Sequence, residues 1–319
     1  MHRPPSAPTD VIRRRELVDP LNDRLVRAQL AAGAVARIAP GSYVEARRWE
    51  ELDPLARHLV RVIEATARLG AGILLSHFAA AAYWDLQILG AWPDVVDVSV
   101  ARTTGGRSSG VVRRHTRDLT RVDAVPWGRH FVTTPAQTAI DLARILPFAH
   151  GVAVADQVLW ARRPGGALAD SAELAAIAAR LRGPGAARAR RVAAFACGGA
   201  DSVRESQSRV LIDLLGFAEP ELQRPFRLDN GRMAYSDFYF EGVDHIGEFD
   251  GLGKYIDPAL LRSRTPEQVV LAEKDREDRL RRQVRGLSRW GTRELDRPSL
   301  LWDILTRAGV PSRRPRPGR

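Results

Sequence analysis

The sequence predicts a two-domain α/β protein, and three observations carry that expectation. At 319 residues the chain is long for a single hydrophobic core. Its apolar fraction of 45% is that of an ordinary globular protein and argues against wholesale disorder. Helical and strand-type patterns also alternate, most clearly over 201–310, which reads helix, three strands, helix, strand, helix.

Composition narrows the partners. A formal net charge of +11 suits a polyanion such as nucleic acid. Only two lysines, Lys254 and Lys274, contribute to it. The rest is arginine, a bias that a GC-rich genome also produces alongside abundant Ala and Gly. The single cysteine, Cys197, permits no internal disulfide and no zinc knuckle, as expected of a reducing cytosol. Within "VAAFACGG" it reads as a small packed residue. The start "MHRPPSAPTD" has no apolar core of the signal-peptide kind, and "AGILLSHFAAAAYW" is too short to span a bilayer. The expectation is a cytoplasmic protein with no membrane partner.

Residues 1–18 are rich in Pro and Arg and read as a flexible N-terminus. In "LNDRLVRAQLAAG", Leu21, Leu25 and Ala28 share one helical face and Gly33 is a C-terminal cap. "AVARIAPGSYV" then reads as two short strands around the turn pair Pro40-Gly41. A helix followed by a small basic hairpin is how a winged helix-turn-helix ends, and also describes many small domains. On the first reading Arg24 and Arg27 on the helix, with Arg37 on the wing, are available to DNA phosphates.

"PLARHLVRVIEATARLG" is an amphipathic helix and "SHFAAAAYWDLQIL" a more buried one, with His77 a capping or packing residue at its start. "DVVDVSVA" and "GVVRRH" read as strands joined by "RTTGGRSSG", which lacks the Gly-Lys-Ser/Thr ending of a P-loop. A flexible basic hairpin loop is therefore expected there. In "TTPAQTAIDLARILP", Thr134 caps a helix, Pro135 occupies its first position and Gln137 completes a capping box. After the helix "GVAVADQVLW", the Ala/Arg/Gly-rich segment 161–200 reads as a helical linker between domains 19–160 and 201–310, with a basic tail at 311–319.

The second domain opens on "DSVRESQSRVLIDLLGF", with Val210, Leu211, Leu214 and Leu215 as its apolar face and Ser202 and Glu205 at capping-box spacing. Strand-like "ELQRPFRL", the turn "DNGR" and the hairpin "YSDFYFEGVDHIGEFDG" follow. That hairpin, 235–251, holds five carboxylates, although carboxylates are depleted in strands and costly to bury. If Phe240 pairs with His245 across the loop "EGVD", then Asp237 stands opposite Glu248. Asp250 shares the face of Glu248, whereas Phe238, Phe240 and Phe249 point the other way. Like charges so placed repel, and a bridging divalent cation reverses that cost. Oxygen ligands suit Mg²⁺ or Mn²⁺, which polarise a phosphodiester and lower the pKa of bound water. Glu205 either adds a third carboxylate or serves only as the capping partner of Ser202. Glu241 and Asp244 read as turn residues.

These segments together ("SVRESQSRVLIDLLGF", "PELQRPF", "YSDFYF", "GEFDG" and "EKDREDRLRR") resemble the PD-(D/E)XK nuclease fold. More closely, they resemble the very-short-patch-repair endonuclease-like domains common in actinobacteria. The resemblance spans 201–295 and implies a restriction-endonuclease-like α/β sandwich. Its metal would be held by Asp237 and Glu248, with Glu205 contributed by the first helix. "LAAGAVARIAPGSYV" and "SHFAAAAYWDLQILG" look like the N-terminal region of type IV abortive-infection antitoxins, which implies a winged helix, transcriptional regulation and a cognate toxin as partner. The nuclease pattern places lysine two residues after its second acid, where this chain has Asp250. Lys254 or Lys274 would then have to act on the attacking water, and Lys274 also has the spacing of a salt bridge to Asp278. Two functions are therefore expected. One is metal-dependent DNA cleavage, and the other is DNA binding by a regulator with a degenerate nuclease fold.

Overall fold

The computed structural model describes residues 7–16, 20–101, 110–250 and 266–318. It is mixed α/β and divides into two compact units, Met1–Leu159 with Ala167–Ala196, and Trp160–Gly166 with Cys197–Arg319.

The first unit begins with β1 (Ile12–Arg13), α1 (Pro20–Ala31), β2 (Val35–Ala39), β3 (Ser42–Glu45), α2 (Ala46–Glu51) and α3 (Pro54–Arg68). The expected helix and hairpin form, with Gly33 (φ 71°) and Gly41 (φ 68°) in the left-handed region their positions require. The buried face of α1 is not the expected one. Val26 is 5% exposed, whereas Leu25 is 56% exposed and Ala28 is exposed, because the helix packs on β2 through the Val26 side. The side chain of Leu21 lies outside the described residues. The three strands pair in the order β1-β3-β2. Glu64 of α3, fully buried, ties them down by accepting from Arg13 Nε at 2.7 Å and Ser42 Oγ at 2.8 Å.

A second sheet follows, with β4 (Leu74–Leu75), α4 (His77–Tyr83), β5 (Val96–Ala101), β6 (Val112–Arg117), β7 (Ala124–Trp127) and β8 (His130–Thr133). Its order is β6-β5-β4-β8-β7. The expected hairpin between β5 and β6 is overturned, since Val96 pairs with Val112 and Ala101 with Arg117 in parallel register. Ten residues separate the strands, enough to return along a six-residue strand at about 3.3 Å per residue. The loop residues 102–109 lie outside the described ones.

Four helices complete the unit, α5 (Pro135–Ile145), α6 (Phe148–Leu159), α7 (Ser171–Arg180) and α8 (Ala186–Phe195). Thr134 caps α5 as expected, accepting from Gln137 N at 3.2 Å. The Gln137 amide goes to Asp141 Oδ1 at 2.9 Å rather than back to the cap. Helices α7 and α8 pack on α5 within this unit, so most of 161–200 is part of a core rather than a tether.

The second unit contains α9 (Val203–Leu214), β9 (Glu221–Arg227), β10 (Met233–Phe240), β11 (His245–Phe249), α10 (Pro266–Arg281), β12 (Gly286–Trp290), α11 (Thr292–Asp296) and α12 (Pro298–Arg307). This is the predicted order of elements with one short helix, α11, added before the last. The sheet runs β12-β11-β10-β9, antiparallel except for β11 with β12. One face buries Phe238, Phe240, Phe249 and Trp290 beneath α9 and α12, and the other buries Tyr239, Ile246 and Leu287 with Leu280 of α10. On α9 and at its C-cap the buried positions are Val210, Ile212 and Leu215, while Leu214 is 38% exposed, one step off the expected face.

Trp290 fixes the sheet to α9 by donating from Nε1 to Ser208 Oγ at 2.9 Å. Its ring lies across Gly247, where a Cβ would come within 2.4 Å of it. Gly247→Ala should therefore destabilise the second unit by roughly 1–3 kcal/mol through overpacking, measurable by urea denaturation. Among the described residues no helix is long and apolar enough to cross a membrane.

Candidate functional site

The hairpin register holds where it can be tested: Phe240 pairs with His245, Tyr239 with Ile246 and Phe238 with Gly247. The loop is a single 3-10 turn, Glu241–Val243, closed by Asp244 at φ 50°. Asp244 does more than turn the chain. It accepts from Tyr239 Oη at 2.8 Å and from Arg285 N at 3.2 Å, which ties the loop to the start of β12.

Regular pairing stops at Asp237. On the β9 side the ladder skips from Ser236–Arg224 to Phe238–Leu222, passing over Asp237 and Gln223, and Gln223 has φ 51°. A positive φ at a side chain of this size is an irregularity that surrounding contacts must hold. Here it carries the Gln223 amide to two acids. Nε2 donates to Glu205 Oε2 at 3.0 Å and lies 3.5 Å from Asp237 Oδ1. Asp237 Oδ2 accepts from Phe249 N at 2.9 Å, so the carboxylate fills the backbone gap its own strand leaves.

Glu205 is the capping partner of Ser202 and also reaches the Gln223 amide. It accepts from Ser202 Oγ at 2.8 Å and Asp201 N at 2.9 Å, and its own N donates to Ser202 Oγ at 3.2 Å. It thus caps α9 and at the same time meets the group that Asp237 meets.

Glu248 is 5% exposed and stands on β11 directly across from Arg289 of β12. Its Oε2 accepts from Arg289 Nη2 at 2.9 Å and Nε at 3.2 Å, and its Oε1 from Arg276 Nη2 at 2.8 Å. Glu273 of α10 bonds both arginines at 3.0 Å. Burial works against the charge on Arg276 and Arg289, but these carboxylates outweigh it and hold both guanidiniums above their usual range.

Asp237 and Arg276 line an open cleft of about 410 Å³, together with Arg162, Asp201, Gln223, Tyr235 and Glu273. Arg162 and Trp160 both donate to Asp201 Oδ1, at 2.8 Å from Arg162 Nε and 2.7 Å from Trp160 Nε1.

Of the remaining expected residues, Asp250 is half-buried just past β11, its N donating to Trp290 O at 2.8 Å. Lys274 is exposed on α10 and is not one of the cleft residues, and Lys254 lies outside the described residues. In the first unit Arg24 and Arg27 on α1 and Arg37 on β2 are exposed.

Sequence reasoning missed Gln223, Arg276 and Arg289. Arg276 lay within the quoted "EKDREDRLRR" and three residues from Glu273, a legible ion-pair spacing. Arg289 becomes visible only through the parallel β11–β12 register, and Gln223 only through a backbone irregularity.

The donors suit a hard cation chemically, all being carboxylate oxygens. A carboxylate has about four lone-pair positions, and Glu248 spends three on N–H donors, leaving one on Oε1. Glu205 and Asp237 already point at one shared position, that of the Gln223 amide. Among the described residues, however, no three His, Cys, Asp or Glu side chains stand together as a ready-made metal cage. The set therefore fits a cation in type, with the Gln223 amide taking the shared position in this structure.

No family model matches the chain. Two uncharacterized proteins of Mycobacterium tuberculosis, from strains CDC 1551 / Oshkosh and ATCC 25618 / H37Rv, are each 32% identical to it over 135 residues, 42% of this chain. The match covers 48% of each relative, so the chain spans about half the length of the curated relatives it matches.

Proposed function

We propose that this chain is a DNA-binding protein whose second unit hydrolyses DNA phosphodiester bonds with a divalent cation, Mg²⁺ or Mn²⁺. The observation that supports this most is the placement of acids from three elements beside an open, arginine-lined cleft. Asp237 and Glu205 share the Gln223 amide, and Glu248 stands on the strand next to Asp237. In this reading the second unit is a restriction-endonuclease-like sandwich. The first carries a winged helix that sets Arg24, Arg27 and Arg37 against backbone phosphates.

Asp237, Glu248 and Glu205 would hold the cation. When bound it would supply Lewis-acid polarisation of a phosphoryl oxygen and a water of lowered pKa. The chain's own contribution is position. The Phe249 N–H fixes the Asp237 carboxylate, Arg289 fixes Glu248, and Ser202 with the Asp201 N–H fixes Glu205. The deciding experiment is plasmid nicking in Mg²⁺ or Mn²⁺ by the full chain and by Asp237→Asn and Glu248→Gln.

Two observations favour a second reading: Glu248 carries two arginines, and Asp250 occupies the place where a lysine is expected. On this reading the chain is a non-catalytic, antitoxin-like regulator with a cognate toxin. It should bind one short operator preferentially and leave DNA intact in both metals.

A further inference from the structure

We infer that Arg276 is the cation that meets the substrate phosphate in the cleft of the second unit, and that Arg289 is only a positioning residue for Glu248. This rests on the reading of the second unit as a module that acts on DNA.

The two guanidiniums differ in what they have left to give. Arg289 spends Nε and Nη2 on Glu248, Nη2 also on Glu273, and Nη1 on Glu277 at 3.0 Å. It is not one of the cleft residues. Arg276 does line the cleft, and its side chain is 28% exposed. Its Nε and Nη2 hold Glu273 and Glu248, while Nη1 makes one long bond of 3.3 Å to the carbonyl of the half-exposed Tyr235. A guanidinium has five N–H donors, so Arg276 retains one donor on Nη1, the nitrogen that reaches the carbonyl of Tyr235, itself a cleft residue. Its head is held at a fixed angle by two carboxylates, which leaves little side-chain entropy to lose when a phosphate binds. Planar donors of this kind suit phosphate oxygens, and Asp237 lines the same cleft. Lys274, two residues earlier on α10, is exposed and outside the cleft, so it serves as a charge-matched control.

The test is the salt dependence of binding of a labelled DNA duplex to the full chain in EDTA, which needs no metal and no turnover. Losing one phosphate contact lowers the slope of log K against log salt by about 0.9. Arg276→Gln is expected to show that loss and to bind several-fold more weakly, Arg276→Lys to keep the slope, and Lys274→Gln to behave as wild type. Because Arg276→Gln strips Oε1 of Glu248 of its donor, the Glu248→Gln/Arg276→Gln double variant provides a version without an unpaired buried charge, and the same slope loss is expected there. A wild-type slope in both Arg276 variants that lack the charge overturns the inference, as does an equal loss in Lys274→Gln, which would make the effect one of net charge. If the wild-type chain does not bind DNA, the underlying reading fails with it. Binding that is unaffected by Arg276 fails the inference alone.

Discussion

Supercoiled plasmid incubated with the full chain in Mg²⁺ or Mn²⁺ is expected to be nicked, and Asp237→Asn or Glu248→Gln to slow nicking by at least about a hundredfold. Charge stabilisation by a cation of this kind is worth several kcal/mol, and each 1.4 kcal/mol is a factor of about ten in rate. The amide substitutions are preferable to alanine for a structural reason. Asp237 accepts from the Phe249 N–H, and an asparagine oxygen can still do so. Glu248→Ala would leave Arg276 and Arg289 with Glu273 but without the buried acid that joins them to β11, so lost activity could not be told from lost structure. Circular dichroism on the amide variants completes the measurement. Nicking at the wild-type rate by both variants would show that the site lies elsewhere. Intact DNA with tight, selective binding would favour the regulator.

A shift from about pH 7.5 to about pH 5 is expected to cost the first unit roughly 4 kcal/mol of stability. His58 and His77 are buried and hydrogen-bonded in their neutral form, and burial lowers each to about 4 from 6.5. His58 Nδ1 lies 3.0 Å from the Pro93 carbonyl, and its ring sits 4.9 Å from that of Trp92. His77 stacks on His115 at 3.8 Å, with Asp141 and Asp97 pulling its affinity for protons up and His115 and Arg117 pushing it down. Well above pH 6.5 neither state of the chain is protonated at these sites, and stability is unaffected by them. As pH falls towards 4 the unfolded chain takes up protons that the folded unit refuses, so stability is lost across that window, about 2 kcal/mol per histidine by pH 5. Urea denaturation at the two pH values checks this, with the first unit's transition moving to lower urea. His77→Asn, which tolerates the positive φ of 50° at that position, should remove about half of the shift. An unchanged midpoint would show that neither ring is buried neutral.

How much of this was legible in the sequence depended on the range of the interaction involved. The hairpin carrying Asp237 and Glu248 was legible because strand alternation has a strict period and the loop between them is short. The caps at Ser202 and Thr134 were legible because they are decided within four residues. The inward face of α1 was not, since Leu25 and Val26 are adjacent and only the position of β2 decides between them. The parallel pairing of β5 with β6 was hidden by a Gly-rich segment of the composition that hairpin loops also have. Least legible were the counter-charges of Glu248. They come from 28 and 41 residues downstream, and no local pattern announces a partner on a parallel neighbour.

That same separation has a consequence for the order in which the chain can finish itself. Glu248 leaves the ribosome before either guanidinium that will neutralise it, and at synthesis rates of roughly 5–20 residues per second it waits a few seconds for Arg289. Until β12 docks, burying the β11 acid is unfavourable and the aromatic face still lacks Trp290 and α12, so the hairpin stays hydrated and open. The second unit should therefore close in one late step, and a nascent chain stalled between Phe249 and Gly286 should remain sensitive to protease across the hairpin.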